Sequence, residues 1–279
     1  MTATPPTTDP RPPDPSDGTR GSAPPCPAAD RRRTIGEIWI VLGLSLGQSA
    51  VYSIISLVGK LTAGRTLASQ SATLNDSVSP RPYLDLSYQL AGIAFAVLPA
   101  LLALWLLSEP GRRARHRLGL DGRRPGRDLA AGAGLAALIG LPGIAFYVLG
   151  HALGITATVV PSALAPHWWT VPVLLLQAVK NAVVEEVVVV GYLVTRLRGL
   201  GLGTPAVFAA SAVLRGSYHL YQGFGPFLGN AVMGLVFCEY HRRRSRVMPL
   251  VVAHTLIDAV AFVGYQYFYD ALAPVLRLP

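Results

Sequence analysis

Apolar positions in this chain fall in long blocks rather than in the one-faced stripes of a soluble helix, and arginine-rich stretches punctuate them. A helix that crosses a bilayer needs about 20 predominantly apolar residues, because lipid cannot satisfy backbone N–H and C=O groups. The blocks predict spans from Trp39 to about Leu61, then over roughly 88–107, 129–150, 171–196, 204–221, 226–240 and 247–268. The 226–240 block is the shortest. The expected fold class is all-α, a polytopic transmembrane helix bundle of about seven spans. Residues 1–34 are rich in Pro, Thr, Asp and Arg without an apolar period. Such a segment cannot bury enough surface to offset chain entropy, and it is expected to be a disordered cytoplasmic tail ahead of a membrane-embedded domain over 35–279. Arg31, Arg32 and Arg33 before an apolar block resemble the start of a signal peptide, but the block is long for that role and reads as a retained first span.

Charge adds an orientation. Only 14% of residues are charged, yet the net charge is +9, and the arginines stand at block edges where topology places them. Arg31 to Arg33, then Arg112, Arg113, Arg115, Arg117, Arg123, Arg124 and Arg127, then Arg196 and Arg198, then Arg242, Arg243, Arg244 and Arg246 fall on one side of an alternating path. The stretch from His151 to Thr170 contains neither Lys nor Arg. The positive-inside rule therefore predicts a multi-pass cell-membrane protein with its N-terminus cytoplasmic and its C-terminus external. Basic residues used in this way argue against a nucleic-acid partner. The bilayer is the expected partner, and the oligomeric state is open. Two cysteines, Cys26 and Cys238, make neither a disulfide framework nor a thiolate metal site. The Leu-Arg-Leu-Pro ending is no prenylation box, and no internal repeat suggests an inverted-repeat transporter.

Ionisable residues inside spans are costly and usually face a bundle interior or a wet cavity. Here Gln177, Asn181, Glu185 and Tyr192 are spaced to share one face of the fourth span, with Glu186 beside it. Two adjacent carboxylates in a poorly solvated setting cannot easily both ionise, which suits acid–base chemistry. A packing ion pair with Lys180 is the plain structural alternative. Arg215 and His219 share a face of the fifth span, and His254 and Asp258 share a face of the seventh, where the carboxylate is expected to hold an imidazole nitrogen.

In this order and on separate helices, these residues resemble the intramembrane glutamic endopeptidases that include the CAAX prenyl-protein proteases and the bacteriocin-processing and immunity proteins. The similarity covers roughly 165–265. The family motifs read E-E-x-x-x-R, F-x-x-x-H and H-x-x-x-N/D; this chain has Glu185-Glu186-Val187-Val188-Val189-Val190, Arg215-Gly216-Ser217-Tyr218-His219 and His254-Thr255-Leu256-Ile257-Asp258. The resemblance implies that Glu185 activates a water with help from His219, that Glu186 supports it, and that His254 and Asp258 stabilise the oxyanion or position the substrate. The resemblance implies a peptide or protein substrate as partner, and neither a metal nor another cofactor is then required. Asn181, Tyr192 and Arg215 are the supporting candidates. Val190 stands at the family's arginine position and Arg215 at its aromatic position, so Arg215 is expected to supply the cation that position 190 does not.

Three other functions fit the same residues. One is a non-catalytic relative acting as a membrane binding or immunity module. Another is a metal-dependent membrane hydrolase using Glu185, His219, His254 and Asp258 as N/O ligands, though no H-E-x-x-H signature is present. The last is a proton or ion relay through the glutamate pair.

Overall fold

A computed structural model describes residues 28–276, and these are mostly helical. Residues 1–27, which hold most of the expected tail and Cys26, lie outside the described residues. The helices are α1 (Ala28–Gly43), α2 (Leu46–Leu61), α3 (Pro82–Ala96), α4 (Leu98–Leu107), the short α5 (Ala114–Arg117), α6 (Pro125–Ala152), α7 (Thr170–Glu185), α8 (Val194–Gly199), α9 (Thr204–Ser217), α10 (Phe224–Arg244) and α11 (Met248–Leu276). A π-helical stretch, Glu186–Leu193, joins α7 to α8. Arg31 to Arg33 lie on α1 rather than ahead of it.

Two helix pairs are interrupted, each with an identifiable cause, and only the α1–α2 pair is sharply bent. Between α3 and α4, Pro99 lacks an N–H and its ring crowds the carbonyl one turn earlier, so the helix restarts at Leu98. Between α1 and α2 the axis bends by 54°. There Ser45 donates its hydroxyl to the Val41 carbonyl at 2.6 Å. Gly47 follows because a Cβ at that position would lie 2.8 Å from the Leu42 carbonyl oxygen.

Lipid-facing surface is written on the outer helices. Val51, Ile55 and Val58 of α2, Leu98, Leu101 and Trp105 of α4, and Leu129, Leu138 and Leu141 of α6 are all exposed. So many exposed large apolar side chains, on one face of α2 and of α4 and around α6, match a hydrocarbon surround. In contrast, Val187 to Val190 are 0% exposed, which makes the π-helical stretch the central post of the bundle.

Seven spans are not borne out by length and composition. Among the described residues two helices suffice to cross a bilayer, Pro82–Leu107 and Pro125–Ala152, or three if the bent α1–α2 pair is one span. The difference has physical causes. The central segment over 170–199 carries Lys180, Glu185 and Glu186, and it changes from α to π winding at Glu186, so no long helix there is poor in charge. Helix α9 has 14 residues, about 21 Å of rise. Helix α10 ends in Glu239 and an arginine run, and the apolar part of α11 is shorter, Met248–Gly264.

The connecting segments gather at two ends. At one end β1 (Ser71–Thr73) pairs in parallel with β2 (Thr158–Val160), in the register Ser71 opposite Thr158, and Thr156 bridges to Gly223 in the turn after α9. At the other end Arg246 donates to Asp128 at 2.6 Å and to Asp121 at 3.1 Å, and the Val247 N–H bonds the Leu118 carbonyl at 2.7 Å. Arg196 joins that end by donating to Glu37 at 2.7 Å and to the Leu106 carbonyl at 2.8 Å.

Candidate active site

The change from α to π winding begins where the chemistry begins. A π turn carries an extra residue, which shifts every later side chain around the axis and turns Glu186 inward beside Glu185. Gly191 suits this tight centre, since a Cβ there would come within 3.0 Å of Leu118.

Arg215, at the end of α9, is fully buried and holds both glutamates. Its Nη1 donates to Glu185 Oε2 at 3.2 Å and its Nη2 to Glu186 Oε2 at 2.7 Å. The guanidinium also lies 5.4 Å from the Phe237 ring centroid, within cation–π range. Val190 packs in the same apolar cluster as Phe237. The cation expected at position 190 thus reaches the carboxylates from position 215. Gly234 leaves room for the arginine stem, because a Cβ there would stand 3.3 Å from Arg215 Cδ.

The two carboxylates have different surroundings. Glu186 is 0% exposed, and it takes Arg215 on Oε2 and His254 Nδ1 on Oε1, the latter at 2.7 Å. Glu185 takes Arg215 and the Tyr218 hydroxyl, the latter at 2.7 Å, on Oε2 alone. Among the described residues no group hydrogen-bonds its Oε1. Glu185 also lines a cavity of about 760 Å³, together with Asn181, Tyr218, His219, His254 and Asp258. One oxygen of Glu185 is therefore anchored while the other remains available to a water in the cavity.

The histidines are oriented by acceptors. His219 Nδ1 lies 2.9 Å from the Arg215 carbonyl oxygen, which can only accept, so Nδ1 carries the proton and Nε2 is left as a base in the neutral ring. His254 Nε2 lies 4.0 Å from Glu185 Oε2 and 3.7 Å from Asp258 Oδ1, too far for a hydrogen bond to either. The expected grip of Asp258 on His254 is thus replaced by Glu186, and Asp258 instead accepts from Asn181 Nδ2 at 3.0 Å.

The remaining candidates separate. Lys180 lines the cavity but, among the described residues, makes no ion pair, so the partner of Glu185 is Arg215 rather than Lys180. Gln177 turns to Gln89, donating at 3.0 Å. Tyr192 does not reach the cavity. It is buried in the main apolar cluster with Arg196 5.5 Å from its ring centroid, because the π turn rotates it off the Asn181–Glu185 face. Tyr218 was missed in the sequence, although it sits three residues after Arg215 and next to His219. Its position is set from α2, where Ser53 donates to its carbonyl at 2.8 Å.

Donor atoms of Glu185, Glu186 and His254 lie within 4.8 Å of one another, the spacing of a metal set. Both Oε2 atoms already face the Arg215 guanidinium, so a divalent ion would sit against a fixed positive charge. The arrangement is an arginine-compensated carboxylate pair.

Residues 167–260 match the family described as Type II CAAX prenyl endopeptidase Rce1-like. This segment is an Rce1-like domain. Every charged residue of the site, from Lys180 to Asp258, lies inside it, while the cavity wall before α7 and Phe262 on α11 lie outside. No curated protein and no solved structure matches the chain.

Proposed function

We propose that the protein is a membrane-embedded endopeptidase that hydrolyses a peptide bond with a water activated by Glu185. The observation that carries this reading is the asymmetry of the carboxylate pair: Glu185 keeps one oxygen unbonded at the cavity wall, while both oxygens of Glu186 are tied. Glu185 Oε1 takes a proton from water as the oxygen attacks the scissile carbonyl, and His219 Nε2 steadies that water. His254 gives its Nδ1–H to Glu186 and, with the ring doubly protonated, offers its Nε2–H to the cavity, where negative charge develops on the carbonyl oxygen. The proton then passes from Glu185 to the leaving amine, so the carboxylate is restored without a covalent intermediate. Arg215, bonded to one oxygen of each carboxylate, holds the pair in place throughout.

The substrate is a membrane-associated or lipidated peptide or protein. The bundle crosses the membrane about seven times, with the tail cytoplasmic and the C-terminus external. Supporting this, the segments expected outside join through β1 and β2, and those expected inside join through Arg246 and Val247.

Cleavage of a membrane-anchored, prenylated peptide library by the purified full chain in detergent tests the reading, with Glu185→Ala and His219→Ala as comparators and chelator present. Chelator-resistant cleavage lost in both variants is expected. Cleavage abolished by chelator would favour the Glu185–Glu186–His254 metal set, and no cleavage by folded protein would favour a binding module.

A further inference from the structure

The cavity is one-sided, and the side it faces is opposite the arginine-rich loops. Its wall runs from the α1–α2 break along α2 as far as Ser56, past Phe95 and Pro99 at the α3–α4 break and the Asn181–Glu185 face of α7, to Thr73 and Leu74 at β1, Tyr221 and Gln222 in the turn bridged to the β2 loop, and His254 and Phe262 on α11. None of its lining residues comes from the loop over 108–124, from 196–204 or from 241–247. Those three segments carry the basic runs, and Arg246 ties two of them together. At the cavity end the basic residues are Lys60, Arg65 and Arg81, while the β2 loop and the turn at Gly223 have none.

Basic residues near span ends stay on the cytoplasmic side, so the end with the arginine runs is cytoplasmic and the β1–β2 end is external. From this we infer that the cavity is water-filled and opens to the external face, so that its substrate is a membrane-anchored peptide segment displayed outside the cell membrane. The inference rests on the proposed endopeptidase reading for the word substrate, but its sidedness rests only on the cavity and the charges. The cavity can hold a peptide: Gln48, Ser49, Tyr52 and Ser56 of α2 line it and offer side-chain hydrogen bonds to a peptide backbone, beside the apolar Leu46, Phe95 and Phe262.

Thiol labelling of the full chain tests this in sealed membrane vesicles of known orientation. In a background of Cys26→Ser and Cys238→Ala, Ser49→Cys reports the cavity and Arg115→Cys reports the arginine-rich end. A membrane-impermeant maleimide is expected to label the Ser49 variant in right-side-out vesicles and the Arg115 variant only in inside-out ones. The proposal is overturned if the Ser49 variant is labelled only in inside-out vesicles, if both are labelled from one side, or if Ser49→Cys reacts from neither side. Cleavage of an anchored peptide supplied outside right-side-out vesicles is measured in parallel. Its absence there and in detergent would remove the protease reading while the labelling still decides the sidedness.

Discussion

Arg215 Nη2 donates to Glu186 Oε2 at 2.7 Å, and both side chains are fully buried. Removing one partner of a buried ion pair leaves an uncompensated charge, which costs about 3–5 kcal/mol. Arg215→Leu is therefore expected to lower thermal stability in detergent sharply and to abolish cleavage. Because Val190 and Phe237 share one apolar cluster and Phe237 lies under the guanidinium, an arginine at position 190 has a path to the same carboxylates. The double variant Val190→Arg with Arg215→Phe should then recover stability and part of the activity relative to Arg215→Leu. A double variant no better than the single would show that position 215 is not interchangeable with position 190.

Tyr218 offers a finer test, since its hydroxyl and Arg215 share Glu185 Oε2. A hydrogen bond to a charged group contributes roughly 1.5–3 kcal/mol. If Tyr218 aims the carboxylate, Tyr218→Phe should reduce kcat by about tenfold to hundredfold with little change in KM, each 1.36 kcal/mol being a factor of about ten. The Ser53 bond to the Tyr218 carbonyl survives that substitution, so the turn should keep its place. Unchanged kcat would remove Tyr218 from the positioning of Glu185.

Which parts of this site were legible in the sequence follows from helical spacing. Glu185 with Asn181, Arg215 with His219, and His254 with Asp258 are each four apart on regular helix or at its end, and all six line or reach the cavity. Tyr192 was misplaced because the spacing argument assumes 3.6 residues per turn, and the winding widens at Glu186. Tyr218 was overlooked because it lies in the turn after α9, where no periodic signal exists. Partner choice was partly hidden too. His254 lies four residues from Asp258 yet bonds to Glu186, a contact across 68 positions that spacing cannot reveal. The span count suffered for a different reason: the central segment changes winding at Glu186 and carries Lys180, Glu185 and Glu186, so it is not one long, charge-poor helix.

Outside the spans, Asp121 gives a pH dependence. Burial works to raise its carboxyl, but the Arg123 backbone N–H, Arg246 and His116 outweigh this and hold it below the usual carboxylate range. A group lowered in the folded state contributes stability above its unfolded value, near 3.9, and that contribution is lost as the pH falls through the folded value. Melting temperature in detergent should therefore fall as pH is lowered below about 5, and Asp121→Asn should flatten that fall. An equally steep acid decline in the variant would assign the dependence to other carboxylates.

Gly223 closes the turn that carries His219 and Gln222, and its backbone has φ of 110°, in the region that favours glycine. A Cβ there would also stand 2.6 Å from the Ile155 carbonyl oxygen, in the loop whose Thr156 bridges to Gly223. Gly223→Ala therefore meets both strain and a backbone clash that no side-chain rotation relieves. The turn is expected to move away from the β2 loop, carrying His219 off the cavity wall, so cleavage should be lost while the glutamate–Arg215 network stays in place. The result to look for is loss of activity with a smaller drop in melting temperature than Arg215→Leu produces. If Gly223→Ala cleaves normally, the turn is not what positions His219.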